Sequence, residues 1–338
     1  MKLLVTGGCG FIGSRFVRLL LEERPTVRIV VLDKLTYAGN LANLAGVLSH
    51  PSFSFVKGDI CDADSVRQAL GGGVDAIVNF AAETHVDRSI LDSERFLATD
   101  VLGTRVLLEA ARELRSCLFL QVSTDEVYGD VRPGHSSRED DRVAPRSPYA
   151  ASKASADLLV LAYAATYSVP VLITRGSNTY GPYQFPEKII PLFITNLIDD
   201  LPVPLYGDGM HERDWLHVDD HARGILEVLE RGRPGEVYNL GGGNAQRNYD
   251  VTLRLIELCG RAAKTHLQHV AERPGHDRRY SLDCSKATSL GWAPKIAFER
   301  GLRETVTWYR NNEPWWRPLK SREFAEYYRR QYATRQTL

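Results

Sequence analysis

No apolar run in this sequence approaches the ~20 residues that a membrane-spanning helix needs, so no membrane partner is expected. An excess of either charge is also missing. The 42 Lys plus Arg balance 42 Asp plus Glu, and no basic run is long enough to form an arm, which argues against a nucleic-acid partner. Cysteine is sparse and unpatterned. Cys9, Cys61, Cys117, Cys259 and Cys284 are scattered, odd in number and form no CxxC, so reduced thiols in a cytoplasmic protein are the simplest account. Met1 leads directly into a strand-like run, so no secretory leader is expected. Internal repeats and low-complexity segments are lacking as well.

What is present is a chain of 338 residues, enough for one large domain and a smaller one. Its organising stretch is Ser123-Thr124-Asp125-Glu126-Val127-Tyr128-Gly129, directly after the apolar run Leu118–Val122. That run reads as a buried parallel strand. A strand ending in a hydroxyl and two adjacent carboxylates puts its acids at a sheet's carboxyl edge, where open α/β sheets bind ligands. Helix capping is the competing explanation for a Ser-Thr-Asp-Glu run.

The rest of the amino-terminal half favours the ligand site. Lys2–Thr6 reads as a strand running into Gly7-Gly8-Cys9-Gly10-Phe11-Ile12-Gly13, then an amphipathic helix to about Glu23. Glycines 7, 10 and 13 suit a tight turn whose backbone approaches a pyrophosphate at a helix N-terminus. The next strand, Arg28–Leu32, ends in Asp33, placed to accept hydrogen bonds from adenosine ribose hydroxyls. An acid there repels a 2′-phosphate and so favours NAD over NADP, tempered slightly by Lys34. Phe53–Val56 leads to Gly58-Asp59-Ile60, with Asp59 beside the expected adenine. Ala76–Phe80 leads to Ala81-Ala82-Glu83-Thr84-His85, whose small alanines let a dinucleotide lie close. His85 reads as a positioned loop residue rather than a metal ligand. The alternation of strands and helices predicts a parallel doubly wound sheet.

Arg132–Arg146 reads as a surface loop, and Ser147-Pro148 then opens a helix. Tyr149 and Lys153 lie at i and i+4 on one face of it. Of fifteen tyrosines, only Tyr149 has a lysine four residues on. A neighbouring ammonium lowers the phenol's pKa, so that Tyr149 can accept a proton from an alcohol while hydride leaves.

Together, the glycine turn, Asp33, the Ala-Ala-Glu-Thr-His segment and YxxxK resemble the extended short-chain dehydrogenase/reductase family. Ser-Thr-Asp-Glu-Val-Tyr-Gly, Pro-Tyr-Ala-Ala-Ser-Lys and Gly-Pro-Tyr-Gln-Phe-Pro-Glu-Lys-Ile-Ile-Pro-Leu-Phe look, more narrowly, like nucleotide-diphosphate-glucose 4,6-dehydratases, from Lys2 to about Lys320. The Asp-Glu pair discriminates most, because epimerases and decarboxylases of this fold lack it. The resemblance implies a Rossmann-type doubly wound α/β fold with a smaller mixed α/β substrate-binding domain. Residues 1–176 would hold NAD, with 214–238 returning to that domain. Residues 177–213 and 239–320 would bind the sugar nucleotide, and 321–338 would form a tail.

The resemblance also implies a tightly bound NAD, regenerated each turnover, and a homodimer. The implied substrate is dTDP-glucose, with a UDP-sugar 4,6-dehydratase or a sugar-nucleotide 4-epimerase as the alternatives. Thr124, Asp125, Glu126, Tyr149 and Lys153 would be catalytic. Gly7, Gly10, Phe11, Ile12, Gly13, Asp33, Lys34, Thr36, Asp59, Ile60, Ala81, Ala82, Thr99 and Thr179 would join Tyr149 and Lys153 around NAD. Thr84, Thr124, Asn178, Lys188, Ile189, Pro204, Leu205, Tyr206, Arg213, Asn239, Glu272, Arg273 and His276 would hold the sugar nucleotide. Arg213 suits a diphosphate clamp, and Arg279 is a further basic candidate.

No metal is expected. His217 and His221, at i and i+4, read as buried histidines at a capped helix start. Asp100 and Thr179 depart from the family, which usually has asparagine at both. Trp308, Trp315 and Trp316 are expected to pack a terminal helix. The polar, aromatic stretch from Ser321 reads as a solvated helix or frayed end.

Overall fold

The computed structural model describes residues 1–320 and 322–332. Ser321 and residues 333–338 of the tail lie outside the described residues. Seven strands form one parallel sheet: β1 (Lys2–Thr6), β2 (Arg28–Asp33), β3 (Phe53–Lys57), β4 (Ala76–Asn79), β5 (Leu118–Thr124), β6 (Val171–Gly176) and β10 (Glu236–Leu240). Their order is β10-β6-β5-β4-β1-β2-β3. Successive residues of a strand point to opposite faces. Leu3, Val5, Ile29 and Val31 therefore enter one core, and Leu4, Val30, Leu32 and Ile77 enter the other. Burial on both faces is why these strands read as unbroken apolar runs. β1 lies between β2 and β4, so the strand order reverses there, and a crevice opens at the carboxyl ends.

The second part is built from β7 (Asn178–Tyr180), β9 (Glu212–His217) and β11 (Ala245–Arg247), in the order β11-β9-β7, with β8 (Val203–Tyr206) paired to β12 (Leu267–Val270). Its own core gathers Tyr180, Phe193, Trp215, Tyr309 and Trp316. Trp308 and Trp315 pack on that core, as the sequence predicts for them. The chain returns to the main sheet through the Val218–Arg231 helix and β10. That return extends to Leu240, two residues beyond the expected 238. His217 caps this helix through Nδ1, which accepts from the Asp219 N–H, and His221 lies buried one turn on. This is the capped start expected for the two histidines. His85 sits at the N-cap of a short helix, Val86–Leu91, rather than in an open loop.

Candidate active site

One cleft runs along the carboxyl edge of the main sheet, from the glycine turn to the acid pair. At its near end, the Phe11–Glu23 helix starts at Gly10 with no capping side chain and no acid in its first turn. Its leading N–H groups and dipole are thus left for an anion. Gly7 has φ +66°, and a Cβ there would lie 2.5 Å from the Ala81 nitrogen, so only glycine lets this turn meet the β4 end. Asp33 is buried, accepting from the Cys9 N–H at 2.9 Å and the Leu35 N–H at 2.8 Å. Burial raises its pKa. Lys34 and Asp59 form an ion pair at 2.6 Å. All sixteen residues assigned to the cofactor, from Gly7 to Thr179, line this cleft. The donor set and the glycine cradle fit NAD.

At the far end β5 delivers Thr124, and a 3₁₀ turn, Asp125–Tyr128, follows at once. Thr124 Oγ1 caps that turn by accepting from the Glu126 N–H at 3.3 Å. Capping and site formation are therefore one arrangement here. The turn is anchored from behind: Tyr128 donates to Asn239 Oδ1 at 2.8 Å and accepts from Arg175 at 2.9 Å, and Arg175 pairs with buried Asp157. Asn239 consequently does not reach the cleft. Its amide also donates to the Ser137 and Asp283 carbonyls, so its geometry is that of a brace for the acid turn rather than the expected substrate contact.

The two carboxyl groups sit in different fields. Burial first, then Glu126 and Asp214, push the Asp125 pKa well up, and its Oδ2 is buried without a partner. Burial also raises Glu126, but Arg273, Lys188 and Arg213 oppose this. Asp125 is thus the group favoured to hold a proton, and Glu126 the one favoured to be ionised.

Ser147 caps the Pro148–Tyr167 helix, which turns Tyr149 and Lys153 into the cleft. Lys153 Nζ donates to the Val122 carbonyl at 2.9 Å. The expected lowering of the Tyr149 pKa is not seen. Burial, then Glu126 and Asp100, hold it well above 10, with the Thr124 hydrogen bond working downward. Asp100 lies in a π-helical segment, Leu97–Gly103. Its carboxylate accepts from Ser152 Oγ at 2.6 Å and from the Glu83 N–H at 3.0 Å.

Burial moves the Asp100 pKa from 3.8 to about 6. A raised carboxylate pKa favours the fold at low pH and loses that contribution as pH rises through 3.8 to about 6. The shift is worth about 3 kcal/mol above that window. Asp100→Asn is accordingly expected to raise the melting temperature at pH 7 and to leave it unchanged below pH 4. Thermal unfolding of both proteins across that range checks this.

Of the expected substrate residues, Thr84, Thr124, Asn178 and Lys188 line the cleft. Lys188 Nζ donates to the Thr84 carbonyl at 2.5 Å, and Asn178 Oδ1 is a buried acceptor with no partner. Arg213 and Arg273 lie beyond, close enough to act on Glu126. Arg213 is buried over the Tyr280 ring, with Nη2 donating to the Asp277 carbonyl at 2.7 Å. Glu272 accepts from His276 at 2.6 Å, and the His276 ring stacks on His211. Tyr206 donates to Asp87 at 3.0 Å.

Ile189, Pro204 and Leu205 do not line the cleft. Ile189 opens the Ile189–Ile198 helix, and the other two belong to β8. Arg279 is tied to the Arg132 and His135 carbonyls. The sequence reading missed Glu83, Gln184, Phe185 and Glu187, which line the cleft. Glu187 precedes Lys188 in the motif Pro-Glu-Lys, the one signal that would have found it.

A parallel sheet with a glycine-rich first turn, a strand-end acid and a Tyr-Lys pair at its carboxyl edge is the arrangement of a short-chain dehydrogenase/reductase. Residues 4–305 match the model of the family described as GDP-mannose 4,6 dehydratase. A dTDP-glucose 4,6-dehydratase of Streptomyces niveus is 52% identical, over 96% of this chain and 97% of its own length. The solved structure of a double mutant of the dTDP-glucose 4,6-dehydratase from Streptomyces venezuelae, with NAD bound, superposes with a TM-score of 0.92. It is 52% identical and covers 95% of this chain and 100% of that one. The Thermus thermophilus UDP-glucose 4-epimerase, in complex with NAD, shares the architecture at a TM-score of 0.85 and 31% identity, over 92% of this chain and 100% of its own. The chain belongs to the GDP-mannose 4,6 dehydratase family, on the side of the dTDP-glucose 4,6-dehydratases.

Proposed function

We propose that this chain removes water from dTDP-glucose, giving dTDP-4-keto-6-deoxyglucose for deoxysugar biosynthesis. The observation that carries the reading is the contrast within the acid pair. Both are buried, but Asp125 faces Glu126 and Asp214 against the one cation Arg213, whereas Glu126 faces Arg273, Lys188 and Arg213 against Asp277. Elimination needs one carboxyl group protonated and one ionised, and unequal surroundings provide both. A 4-epimerase has no use for either.

Held in the cleft by the glycine turn and Asp33, NAD would supply the reversible hydride chemistry that opens and closes the cycle. Tyr149 takes the proton of the C4 hydroxyl, and Thr124 hydrogen-bonds the same oxygen. Lys153 holds the cofactor side of the site. The C4 ketone acidifies the neighbouring C–H, and Glu126 removes the C5 proton. Asp125 gives its proton to the departing C6 hydroxyl, which leaves as water, and C5 is then reprotonated. Lys188, Arg213 and Arg273 hold the anionic part of the substrate.

Residues 1–176 and 214–240 form the NAD-binding domain in this reading. Residues 177–213 and 241–320 form the sugar-nucleotide domain. The test is incubation with dTDP-glucose and no added reductant, followed by mass spectrometry. Product lighter by one water is expected, unchanged mass would indicate epimerisation, and turnover of the UDP sugar alone would reassign the nucleotide.

A homodimer belongs to the same reading. Leu97, Leu102 and Leu158 are 52%, 56% and 54% exposed, on two segments packed against each other. Exposed apolar clusters of this kind favour association. Leu102→Glu with Leu158→Glu is expected to halve the mass measured by light scattering. A cytoplasmic location is supported by five free cysteines. Among the described residues, no helix is long and apolar enough to cross a membrane.

A further inference from the structure

The carboxyl-terminal helix Arg322–Tyr332 makes contacts that a solvated end does not need. Phe324, Tyr327, Tyr328 and Gln331 share one face at i, i+3, i+4 and i+7, with Phe324 and Gln331 buried and Ala325, Glu326 and Arg329 exposed. That face rests on the back of the cleft wall. Phe324 meets Phe185, a cleft residue, at 6.2 Å between ring centroids. The Arg88 guanidinium lies between two rings, 4.2 Å from Tyr327 and 3.8 Å from Tyr37. The same arginine donates to Glu187 Oε2 at 2.8 Å, and Tyr37 donates to Glu187 Oε1 at 3.1 Å. The Glu187 carboxylate therefore reaches the tail helix through the stacked Arg88 cation, and Lys188 follows it directly into the cleft.

Two hydrogen-bonded relays, one through His85 and one through Tyr206, complete the seam. Burial and the nearby Lys188, Arg273 and Arg88 keep His85 neutral. Its Nε2–H donates to the Glu187 carbonyl at 3.3 Å, which leaves Nδ1 to accept from the Tyr327 hydroxyl at 3.3 Å. Gln331 Nε2 donates to the Tyr206 hydroxyl at 3.0 Å, which in turn donates to Asp87 Oδ2 at 3.0 Å. The other Asp87 oxygen faces Arg273 at 3.8 Å.

We propose that the carboxyl-terminal helix is a positioning element for the nucleotide sugar. Tyr327, through Arg88 and His85, holds the Glu187–Lys188 wall, and Gln331 holds Tyr206 at the end of β8. This rests on the reading of Lys188, Tyr206 and Arg273 as the nucleotide-sugar side of the site. Neither Tyr327 nor Gln331 lines the cleft, so both act through the residues they hold.

The experiment is calorimetric titration of the full chain with dTDP-glucose, alongside steady-state kinetics, for Tyr327→Ala, Tyr327→Phe and Gln331→Ala. Tyr327→Ala is expected to weaken binding and raise KM about tenfold, with kcat within about twofold, because a positioned wall acts on substrate affinity rather than on the acid pair. Tyr327→Phe keeps the ring on Arg88 and should recover most of that loss. Gln331→Ala is expected to weaken binding about threefold by the Tyr206 route, and it decides the matter if Tyr327→Ala does not fold. Unchanged affinity in folded Tyr327→Ala and Gln331→Ala, whatever their melting temperatures, would overturn the proposal. Lack of product from the unaltered chain would overturn the reaction assigned above, while the titrations would still decide the role of the helix.

Discussion

Asp125→Asn combined with Glu126→Gln is expected to stop water loss while leaving oxidation at C4 intact. Both replacements keep the shape of the side chain and remove only the proton chemistry. General acids and bases each contribute about 10²–10⁴ in rate, so elimination should fall at least about 10³-fold. Reduced nicotinamide should then appear by its absorbance, with no loss of one water from the sugar's mass. The single variants separate the roles. In deuterated water Glu126→Gln should lose exchange at C5, while Asp125→Asn should retain it and fail at C6. The unaltered enzyme should show a bell-shaped pH dependence of elimination. Its alkaline limb reports Asp125, which must be protonated and whose pKa is pushed well up by burial. Its acid limb reports Glu126, which must be ionised and which three cations counter. Normal elimination by the double variant would remove the basis of the assignment.

Tyr149→Phe is expected to slow the step before it. Without the phenolic oxygen, the C4 hydroxyl loses the proton acceptor assigned to it, and turnover should fall about 10²–10⁴-fold. Reduced nicotinamide should form correspondingly slowly in a single turnover. The ring packs edge-on against Phe96 at 6.2 Å, so phenylalanine should hold its place and the protein should still retain NAD on purification. The unaltered enzyme carries a second signature. Burial, Glu126 and Asp100 raise the Tyr149 pKa, which shifts the acid limb of C4 oxidation upward. Asp100→Asn removes one of those anions and should move the limb toward lower pH. Stopped-flow oxidation measured across pH checks this, and a limb that does not move would detach Asp100 from Tyr149.

Several parts of the site are legible because the chemistry is written in neighbouring residues. Thr124, Asp125 and Glu126 are consecutive, and Tyr149 and Lys153 are one helical turn apart. The glycine turn is bounded by its own strand and helix. In each case a local backbone pattern fixes both the element and the direction of the side chains. The pKa order within the acid pair is different. It depends on Arg213 and Arg273, which come from distant segments, and on burial that no spacing reveals. Tyr149 shows the same limit, since desolvation, then Glu126 and Asp100, hold its pKa up where the helical spacing alone predicts a fall. Asn239 was assigned to the substrate by resemblance, yet its partners Tyr128, Ser137 and Asp283 turn it into a brace.

From sequence alone come the doubly wound parallel sheet, the preference for NAD and the acid pair at the sheet edge, because strand and helix periods and strand-end residues are local properties of the chain. The tertiary structure alone determines which carboxyl group holds the proton, what Asn239 supports and what the tail helix rests on. Those follow from contacts such as Tyr327 with His85, 242 residues apart, where packing brings together side chains whose registration no local pattern encodes.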